Sequence, residues 1–227
     1  MAGAIAARHV IRMRRDADSF PGWSKLGLNL CLLSFDIRDE MSVPDGPSRT
    51  QDEWIALRCQ AGDNTGFEDL VALMERPLLY YAAKLTGNAQ TAYDVLQDVW
   101  VKVFSGIRGL KNPASLRPWL YRITHGLAVD RIRQHISRER AEEARVDGLQ
   151  EAGDISFTRD DAAAIHEALN DLEPRHREVL VLYFLEDFSL SEIAGVVGCS
   201  EGTVKSRIHY AKRRMKEILG GGGYGIK

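Results

Sequence analysis

The sequence predicts an all-α protein, built of two small helical domains joined by a flexible acidic linker. Apolar residues recur at spacings of three and four over most of residues 51–219, and no segment alternates at a period of two. Clusters of Gly, Asn, Asp and Pro separate these periodic segments, as helix-ending signals do. An acid-rich stretch interrupts the helical pattern near residue 150. These observations together favour two groups of helices over a sheet-containing fold.

Length and composition exclude several classes of protein. A chain of 227 residues corresponds to one or two domains, and its 44% hydrophobic and 27% charged residues are ordinary for a globular protein. No run of about 18 apolar residues is present, which excludes a membrane-spanning helix. Cys31, Cys59 and Cys199 have no metal-ligand spacing, and a disulfide framework needs an even, dense set of cysteines. We therefore expect a cytoplasmic protein without a metal or other cofactor.

Residues 1–50 lack a helical period and are predicted to be a disordered N-terminal extension. The basic start followed by the apolar stretch 26–35 faintly resembles a secretory signal, but the stretch is short and lies too far from the start. Met41 opens a segment rich in Ser, Pro, Asp and Gly, so we hypothesise that translation begins there. The intact mass of the native protein tests this, and a mass matching all 227 residues would contradict it.

Four helices are predicted in the first domain, residues 51–140. The first starts at a capping box, 50–53, and ends at Gly62. The others cover about 65–86, 89–107 and 114–140. Pro77 is expected to kink the second, whereas Pro118 falls in the first turns of the fourth, where proline is tolerated best. The third helix carries an apolar stripe of Ala92, Leu96, Val99, Val103 and Ile107.

The second domain is predicted over 160–219, after an acidic linker at 141–159 and before a flexible tail at 220–227. Its first helix leads from Asp160 to Leu172, and Pro174 starts the next. Charge is distributed in blocks, with a net +5 over 111–140, −8 over 141–173 and +4 over 200–219. Two basic patches around an acidic spacer indicate two surfaces for a polyanion, or else three solvated helix faces.

The most specific local pattern is a helix-turn-helix at 189–214. Ser189 to Glu192 forms a capping box, Gly198 supplies a tight turn and Ser200 caps a second helix. Residues expected to face inward are Ile193, Ala194, Val197, Val204, Ile208 and Ala211. The second helix exposes Glu201, Thr203, Lys205, Ser206, Arg207, Tyr210, Lys212, Arg213 and Arg214. This arrangement favours duplex DNA binding over a plain αα-hairpin with a basic face.

Within that helix, the residues near its start are expected to read bases. Lys205 and Arg207 are the candidates for guanine, because both types donate to its major-groove acceptors. The three basic residues at 212–214 are more typical of contacts with DNA phosphates, which position the helix.

The first domain carries two further patterns. Asp94, Gln97 and Asp98 share one helix face, which indicates a protein partner, since acids beside a basic block would repel DNA; the alternative is a solvated face. An acid/base pair is discounted because no third group or pocket accompanies them. In the fourth helix, Trp119 and Tyr121 alternate with arginines, a pattern typical of stacking on unpaired bases, although both could equally be core aromatics.

Several motifs resemble those of bacterial sigma-70 family sigma factors of the small extracytoplasmic-function (ECF) type. Residues 94–100, 118–123 and 128–133 resemble region 2, and residues 172–180, 191–194 and 203–207 resemble region 4. The resemblance covers about 51–219 in the order and spacing of the family. It implies a factor that binds core RNA polymerase and directs initiation at promoters with particular minus-10 and minus-35 elements.

The resemblance also implies roles for residues and partners. Asp94, Gln97 and Asp98 match positions that grip the clamp helices of the β′ subunit, and the β flap is a second polymerase contact. The minus-10 strand would be held by Leu110, Lys111, Trp119, Tyr121, Arg122, Gly126, Arg131 and Arg133. Residues 200–214 match the minus-35 recognition helix. An anti-sigma factor is a further expected partner, and no small-molecule substrate is expected.

Two positions depart from the family pattern. Gly126 stands where members often carry Asn, and Leu110 stands where they often carry an aromatic residue. Asn offers a donor and an acceptor to a base edge, whereas glycine offers neither. We therefore expect an altered or relaxed minus-10 preference.

The alternative function is a helix-turn-helix regulator of the response-regulator output type, acting on duplex DNA. Such a protein needs an upstream phosphoacceptor α/β domain, whereas the upstream block here is predicted to be helical. An enzyme is not expected, because the sequence contains no metal-ligand cluster, phosphate-binding glycine loop or nucleophile motif.

Overall fold

A computed structural model describes the backbone of residues 47–142 and 160–221 and the side chains of residues 50–137 and 165–219. Over these ranges the chain forms α-helices and two short 3-10 turns, and no strand. The predicted all-α fold class is confirmed. The proposed start at Met41 and nearly all of the predicted extension, linker and tail lie outside the described residues.

The first group of helices comprises α1 to α4. Their bounds are α1, Pro47–Gln60; α2, Asn64–Thr86; α3, Ala89–Gly106; and α4, Leu116–Glu142. The 3-10 turns Ile107–Gly109 and Pro113–Ser115 connect α3 to α4. Helices α2, α3 and α4 pack against one another, and α1 packs on α2 and the turns.

The core of this group follows the predicted apolar pattern. Every residue of the predicted α3 stripe is buried. Between α2 and α3, Gly87 adopts a left-handed φ of 68° and ends α2, and the Asn88 side chain then accepts a hydrogen bond from the Thr91 backbone N–H. A glycine that ends one helix and an asparagine that caps the next fix the chain reversal that brings α3 against α2.

The predicted start of the first helix is wrong, and that of the fourth is shifted by two residues. Helix α1 begins at Pro47, so Thr50 lies inside it and the predicted capping box does not start the helix. Instead of capping, Asp52 is buried and binds Arg117 of α4. Helix α4 begins at Leu116, because Asn112 accepts from the Ala114 N–H and nucleates a separate 3-10 turn. Helix α2 runs without interruption through Pro77.

The second group comprises α5, Asp160–Asn170; α6, Pro174–Phe184; α7, Leu190–Val197; and α8, Glu201–Gly221. The predicted helix-turn-helix is confirmed in α7 and α8. Ser189 and Glu192 form a reciprocal capping box, and Gly198 ends α7 with a left-handed φ of 70°. Two of the residues predicted to face inward differ: Ala194 and Val197 are only half-buried, whereas Val196, which was not predicted, is buried.

All the described helices belong to one compact unit. Helix α7 packs on α4, and α6 packs on α2, so the two predicted domains share a contact face. Helix α4 extends to Glu142 and α8 to Gly221, each two residues beyond the predicted end of its domain. Among these helices, none is long and apolar enough to cross a membrane.

Candidate nucleic-acid interface

The N-terminus of α8 is built by a side-chain cap. Ser200 Oγ accepts a hydrogen bond from the Thr203 N–H at 3.1 Å and lies 2.9 Å from the Thr203 hydroxyl. Val204, Ile208 and Ala211 are buried, as predicted, and they anchor the helix to the rest of its group. The opposite face of α8 therefore points towards solvent. Its exposed residues are Ser200, Glu201, Lys205, Ser206, Tyr210, Arg213 and Arg214, with Thr203, Arg207 and Lys212 half-buried.

Two basic side chains of this face contact aromatic rings within the same group of helices. Lys212 Nζ lies 5.4 Å from the Phe184 ring centroid, and the Arg213 guanidinium lies 5.0 Å from the ring centroid of Tyr210. Tyr210 in turn stacks on His176 with centroids 4.7 Å apart. Such aromatic contacts preorganise long side chains, so the basic face presents its charges in a restricted set of positions.

The two residues predicted to contact guanine differ in exposure and in their partners. Lys205 is exposed, whereas Arg207 is half-buried with Nη1 3.3 Å from Oε1 of Glu178. Glu178 is buried on α6 and also lies 3.4 Å from Nε2 of His125 on α4. This carboxylate therefore joins the recognition helix to the first group of helices, a role that the sequence did not reveal. The only signal was an acid directly before the apolar run 179–182.

The acidic face of α3 is formed as predicted. Gln97 and Asp98 are exposed and Asp94 is half-buried, one helical turn apart on the same side. Asp98 Oδ2 accepts a hydrogen bond from Arg131 Nη2 of α4 at 2.7 Å. A residue predicted to bind protein thus contacts a residue predicted to bind DNA. The two predicted surfaces are adjacent.

The structure places the eight residues predicted to bind the minus-10 strand on α4 and in the loop before it. Lys111, Arg122, Gly126 and Arg133 are exposed, and Leu110, Trp119 and Arg131 are half-buried. Trp119 packs over Gly106: a Cβ added at that glycine would lie 3.4 Å from the indole ring. Gly126 lies on an open helix surface, since a Cβ there would meet nothing within 4 Å.

Tyr121 does not fit its predicted role in this conformation. Its side chain has no exposed area, and its ring lies 5.1 Å from that of Tyr81 and 5.2 Å from that of Phe188. Burial raises the pKa of the Tyr121 phenol well above its usual value, with the neighbouring Glu186 adding to the effect. Tyr121 is therefore a core aromatic here, as the alternative interpretation of the sequence allowed.

Gln60 holds the loop that carries Leu110, a role that was not predicted from the sequence. Its side-chain Nε2 donates to the backbone oxygens of Ile107 at 3.2 Å and Leu110 at 2.7 Å. A glutamine at the end of a helix gives no specific signal in the sequence. Its role depends on a loop almost fifty residues later in the chain, which only the packing brings to it.

Comparison with known protein families gives two matches. The model described as "Sigma-70 region 2" matches residues 70–138, and the model described as "Sigma-70, region 4" matches residues 162–215. The first begins within α2 and ends within α4, and the second includes the helix-turn-helix. The alternative that needs an α/β domain before the helix-turn-helix finds no support, because helices occupy that place in the described residues.

Individual relatives agree with these matches. The chain is 31% identical over 166 residues to the RNA polymerase sigma factor CarQ of Myxococcus xanthus, covering 72% of this chain and 94% of CarQ. It is 29% identical over 184 residues to the RNA polymerase sigma-H factor of Pseudomonas aeruginosa, covering 76% and 95%. It is 28% identical over 170 residues to the ECF RNA polymerase sigma factor SigW of Bacillus subtilis, covering 70% and 91%.

Two solved structures share the fold. The sigma factor RpoE of Bartonella quintana, crystallised with the anti-sigma factor NepR, aligns with a TM-score of 0.59 and 24% identity, over 68% of this chain and 96% of that one. CnrH, in complex with the cytosolic domain of CnrY, aligns with a TM-score of 0.55 and 24% identity, over 76% and 99%.

Proposed function

Because the chain belongs to the sigma-70 family of RNA polymerase sigma factors, in its ECF group, we propose a specific use for each of its surfaces. Members of this family direct transcription initiation at promoters, and the chain carries both of the regions, 2 and 4, that were predicted from its motifs. The proposal assigns α8 to the minus-35 element, α4 and the loop before it to the minus-10 strand, and the acidic face of α3 to core polymerase.

The observation that carries the assignment is the placement of three chemically distinct surfaces. The basic face of α8 has the capped, projecting geometry that suits the major groove. The α4 surface combines exposed Lys111, Arg122 and Arg133 with the half-buried Trp119, as single-strand binding requires. The adjacent α3 face exposes Gln97 and Asp98 and suits a basic protein surface, the β′ clamp helices, with the β flap as a second contact.

The proposed function also includes an inhibitory protein partner and a cellular compartment. An anti-sigma factor is the proposed inhibitory partner, supported by the structural neighbour RpoE, which was crystallised in complex with such a factor. The protein is proposed to act in the cytoplasm, without a catalytic reaction, a cofactor or a small-molecule substrate.

The experiment that tests the function is in vitro transcription on genomic fragments with sigma-free core polymerase, with and without the protein. Discrete new start sites that depend on the protein are expected, and mapping them yields both promoter elements.

The triple variant Asp94→Ala/Gln97→Ala/Asp98→Ala tests the polymerase-binding surface on α3 and should lose core binding in a gel-shift assay. The exposed Lys102→Ala on the same helix is the matched control. Normal core binding by the triple variant would refute the α3 assignment.

Base reading by α8 is tested with Lys205→Ala and Arg213→Ala on the mapped promoters. Loss of a base contact costs about 1–3 kcal/mol and relaxes specificity at one position, whereas loss of a phosphate contact weakens all sequences alike. We expect Lys205→Ala to change which minus-35 bases matter, and Arg213→Ala to lower transcription from every variant promoter equally. The opposite result would indicate that Arg213 reads bases and that Lys205 contacts phosphate.

Gly126 tests the minus-10 assignment. Its open position admits a side chain without a clash, so Gly126→Asn restores an amide without disturbing the packing. We expect it to change the preferred upstream base of the minus-10 element in a promoter library, with Gly126→Ala as the control for helix stabilisation. Unchanged promoter selection by Gly126→Asn would contradict the assignment.

A further inference from the structure

The loop between α3 and α4 carries Leu110 and Lys111, two of the residues proposed to hold the minus-10 strand, and it is anchored on α1. Gln60, the last residue of α1, donates from Nε2 to the backbone oxygen of Ile107 at 3.2 Å and to that of Leu110 at 2.7 Å. The Leu110 N–H also donates to the Ile107 oxygen at 3.1 Å, which closes the 3-10 turn. One carboxamide therefore uses both of its N–H groups to hold the two ends of one turn.

The end of α1 that carries Gln60 is itself fixed. Arg58 Nε donates to Asp63 Oδ2 at 2.8 Å, and its Nη2 donates to Thr65 Oγ1 at 2.5 Å, across the turn to α2. Gly66 permits this close approach of the two helices, because a Cβ added there would lie 2.8 Å from the Arg58 Cβ. Gln60 therefore projects from a turn that is fixed by side-chain hydrogen bonds, and its amide can restrain the loop.

The far end of the same loop is held independently. Asn112 caps the 3-10 turn Pro113–Ser115 with its side chain, and α1 packs against this turn. Arg117, directly after the turn, binds the buried Asp52 of α1. Leu110 and Asn112 both have extended backbones, so the segment between them is a short bridge whose two ends are supported by α1.

This bridge lies on the surface that is proposed to hold DNA. Lys111 and Asn112 are exposed, whereas Leu110 and Gln60 are half-buried. Because both N–H groups of the Gln60 amide are bonded to the backbone, Gln60 acts on the loop and determines where the neighbouring side chains stand. A loop that is ordered before binding loses less conformational entropy when its ligand binds, which strengthens recognition.

We propose that Gln60 is a positioning residue for minus-10 recognition, which fixes the loop conformation in which Leu110 and Lys111 meet the single strand. Gln60 acts through the loop and does not contact a base. This role rests on the proposed assignment of the loop to the minus-10 strand, whereas the restraint on the loop exists in the free protein.

Hydrogen exchange of the free, full-length protein tests the restraint. Gln60→Glu keeps the size of the side chain but replaces the donor with an oxygen that faces two carbonyl oxygens, and Gln60→Met removes the donor without adding charge. Two lost hydrogen bonds correspond to about a tenfold change in an opening equilibrium, so the Leu110 amide should exchange about tenfold faster in both variants.

Gln51→Glu, at an exposed position of the same helix, is the matched control and should leave the exchange of Leu110 unchanged. Amides within α2 and α3 should keep their protection in every variant, which shows that these helices remain folded. Unchanged exchange at Leu110 in both Gln60 variants would overturn the proposal.

Recognition is tested with holoenzyme on a promoter that the transcription assay maps, made with a pre-opened minus-10 segment. Each base of the opened strand is removed in turn, and the resulting losses of binding are compared between the unmodified protein and Gln60→Glu. We expect at least one position where base removal weakens binding by the unmodified protein but not by the variant. Affinity for core polymerase and the effects of minus-35 substitutions should not change. Gln60→Glu with the same relative losses at every position has a merely structural effect, and that result would overturn the proposal.

A double-variant cycle tests whether Gln60 acts through the loop. Gln60→Glu should weaken binding to the pre-opened promoter by about tenfold in the unmodified background. The effect should fall to about twofold or less after Leu110→Ala/Lys111→Ala removes the side chains that the loop presents. An equal loss in both backgrounds would contradict the proposal.

Failure of the proposed function gives a different result. If the transcription assay yields no start sites with the unmodified protein, the proposed function fails, and the minus-10 role of Gln60 fails with it. The hydrogen exchange of the free protein still decides whether Gln60 holds the loop. Start sites with the unmodified protein, together with identical base-removal profiles for Gln60→Glu, would overturn the role of Gln60 alone.

Discussion

At the scale of single residues, the ionic contacts of this protein differ sharply in burial. Asp52 is 3% exposed and binds Arg117, whose Nη2 lies 3.3 Å from Asp52 Oδ1. Burial opposes the charge of Arg117, but the bond and charge of Asp52 outweigh it and raise the guanidinium pKa above its usual value. The pair of Arg58 and Asp69 lies at the surface, with Asp69 54% exposed. Removing a partner therefore has different consequences at the two sites.

We expect Asp52→Ala to lower the free energy of unfolding by about 2–3 kcal/mol, because it leaves the guanidinium of Arg117 largely desolvated and without its main partner. Asp69→Ala is the matched control and should have a far smaller effect, since exposed ion pairs contribute little. Urea unfolding followed by circular dichroism measures both. Equal losses for the two variants would show that burial of the Asp52 pair does not matter.

At the scale of the helical elements, two glycines have opposite functions. Gly198 ends α7 with a positive φ that only glycine adopts without strain, and it sets the turn before the recognition helix. Gly126 lies inside α4, where glycine lowers helix stability and no packing requires it. The same substitution should therefore act in opposite directions.

Gly198→Ala should lower the unfolding free energy by about 1 kcal/mol, and Gly126→Ala should raise it by about 0.5–1 kcal/mol. Thermal unfolding of both variants beside the unmodified chain measures the two shifts. The expected signs follow from backbone conformation alone, so destabilisation by Gly126→Ala would reveal a contact of that position that the structure does not contain.

At the scale of the whole molecule, the burial of His166 between the two groups of helices makes the folded unit sensitive to acid. Burial, with Lys84 nearby, lowers the pKa of His166 to about 4 from its usual 6.5. Below pH 6.5 the unfolded chain binds a proton at this histidine, whereas the folded unit binds it only near pH 4. The stabilising contribution of neutral His166 is therefore fully present above pH 6.5 and is lost as the pH drops from 6.5 towards 4.

We expect this site to contribute about 2–3 kcal/mol to the loss of unfolding free energy between those two pH values, since one pKa unit corresponds to about 1.4 kcal/mol. His166→Gln should flatten that part of the pH profile, while the exposed His209→Gln should leave it unchanged. Denaturant titrations at several pH values provide the measurement, and an unchanged profile for His166→Gln would assign the acid sensitivity to another group.

The sequence by itself determined the helices and the family. Periodic apolar residues, the capping box at Ser189 and the turn at Gly198 are local signals, and each acts within a few residues of its position. The motifs at 94–133 and 172–207 likewise identified both sigma-factor regions, which the family matches confirm. Local hydrogen bonds and side-chain spacing depend on neighbours in the chain, which a sequence displays directly.

Only the tertiary structure decided which candidate residues are buried and which remain exposed. Tyr121 could have been a base-stacking or a core residue, and its burial depends on Phe188, far along the chain. The loop contacts of Gln60 and the double contact of Glu178 likewise join residues remote in sequence. Amphipathic periodicity shows that a face is apolar, but it does not name what covers that face. The packing of α7 on α4 therefore depends on contacts between the two regions, which no local pattern encodes.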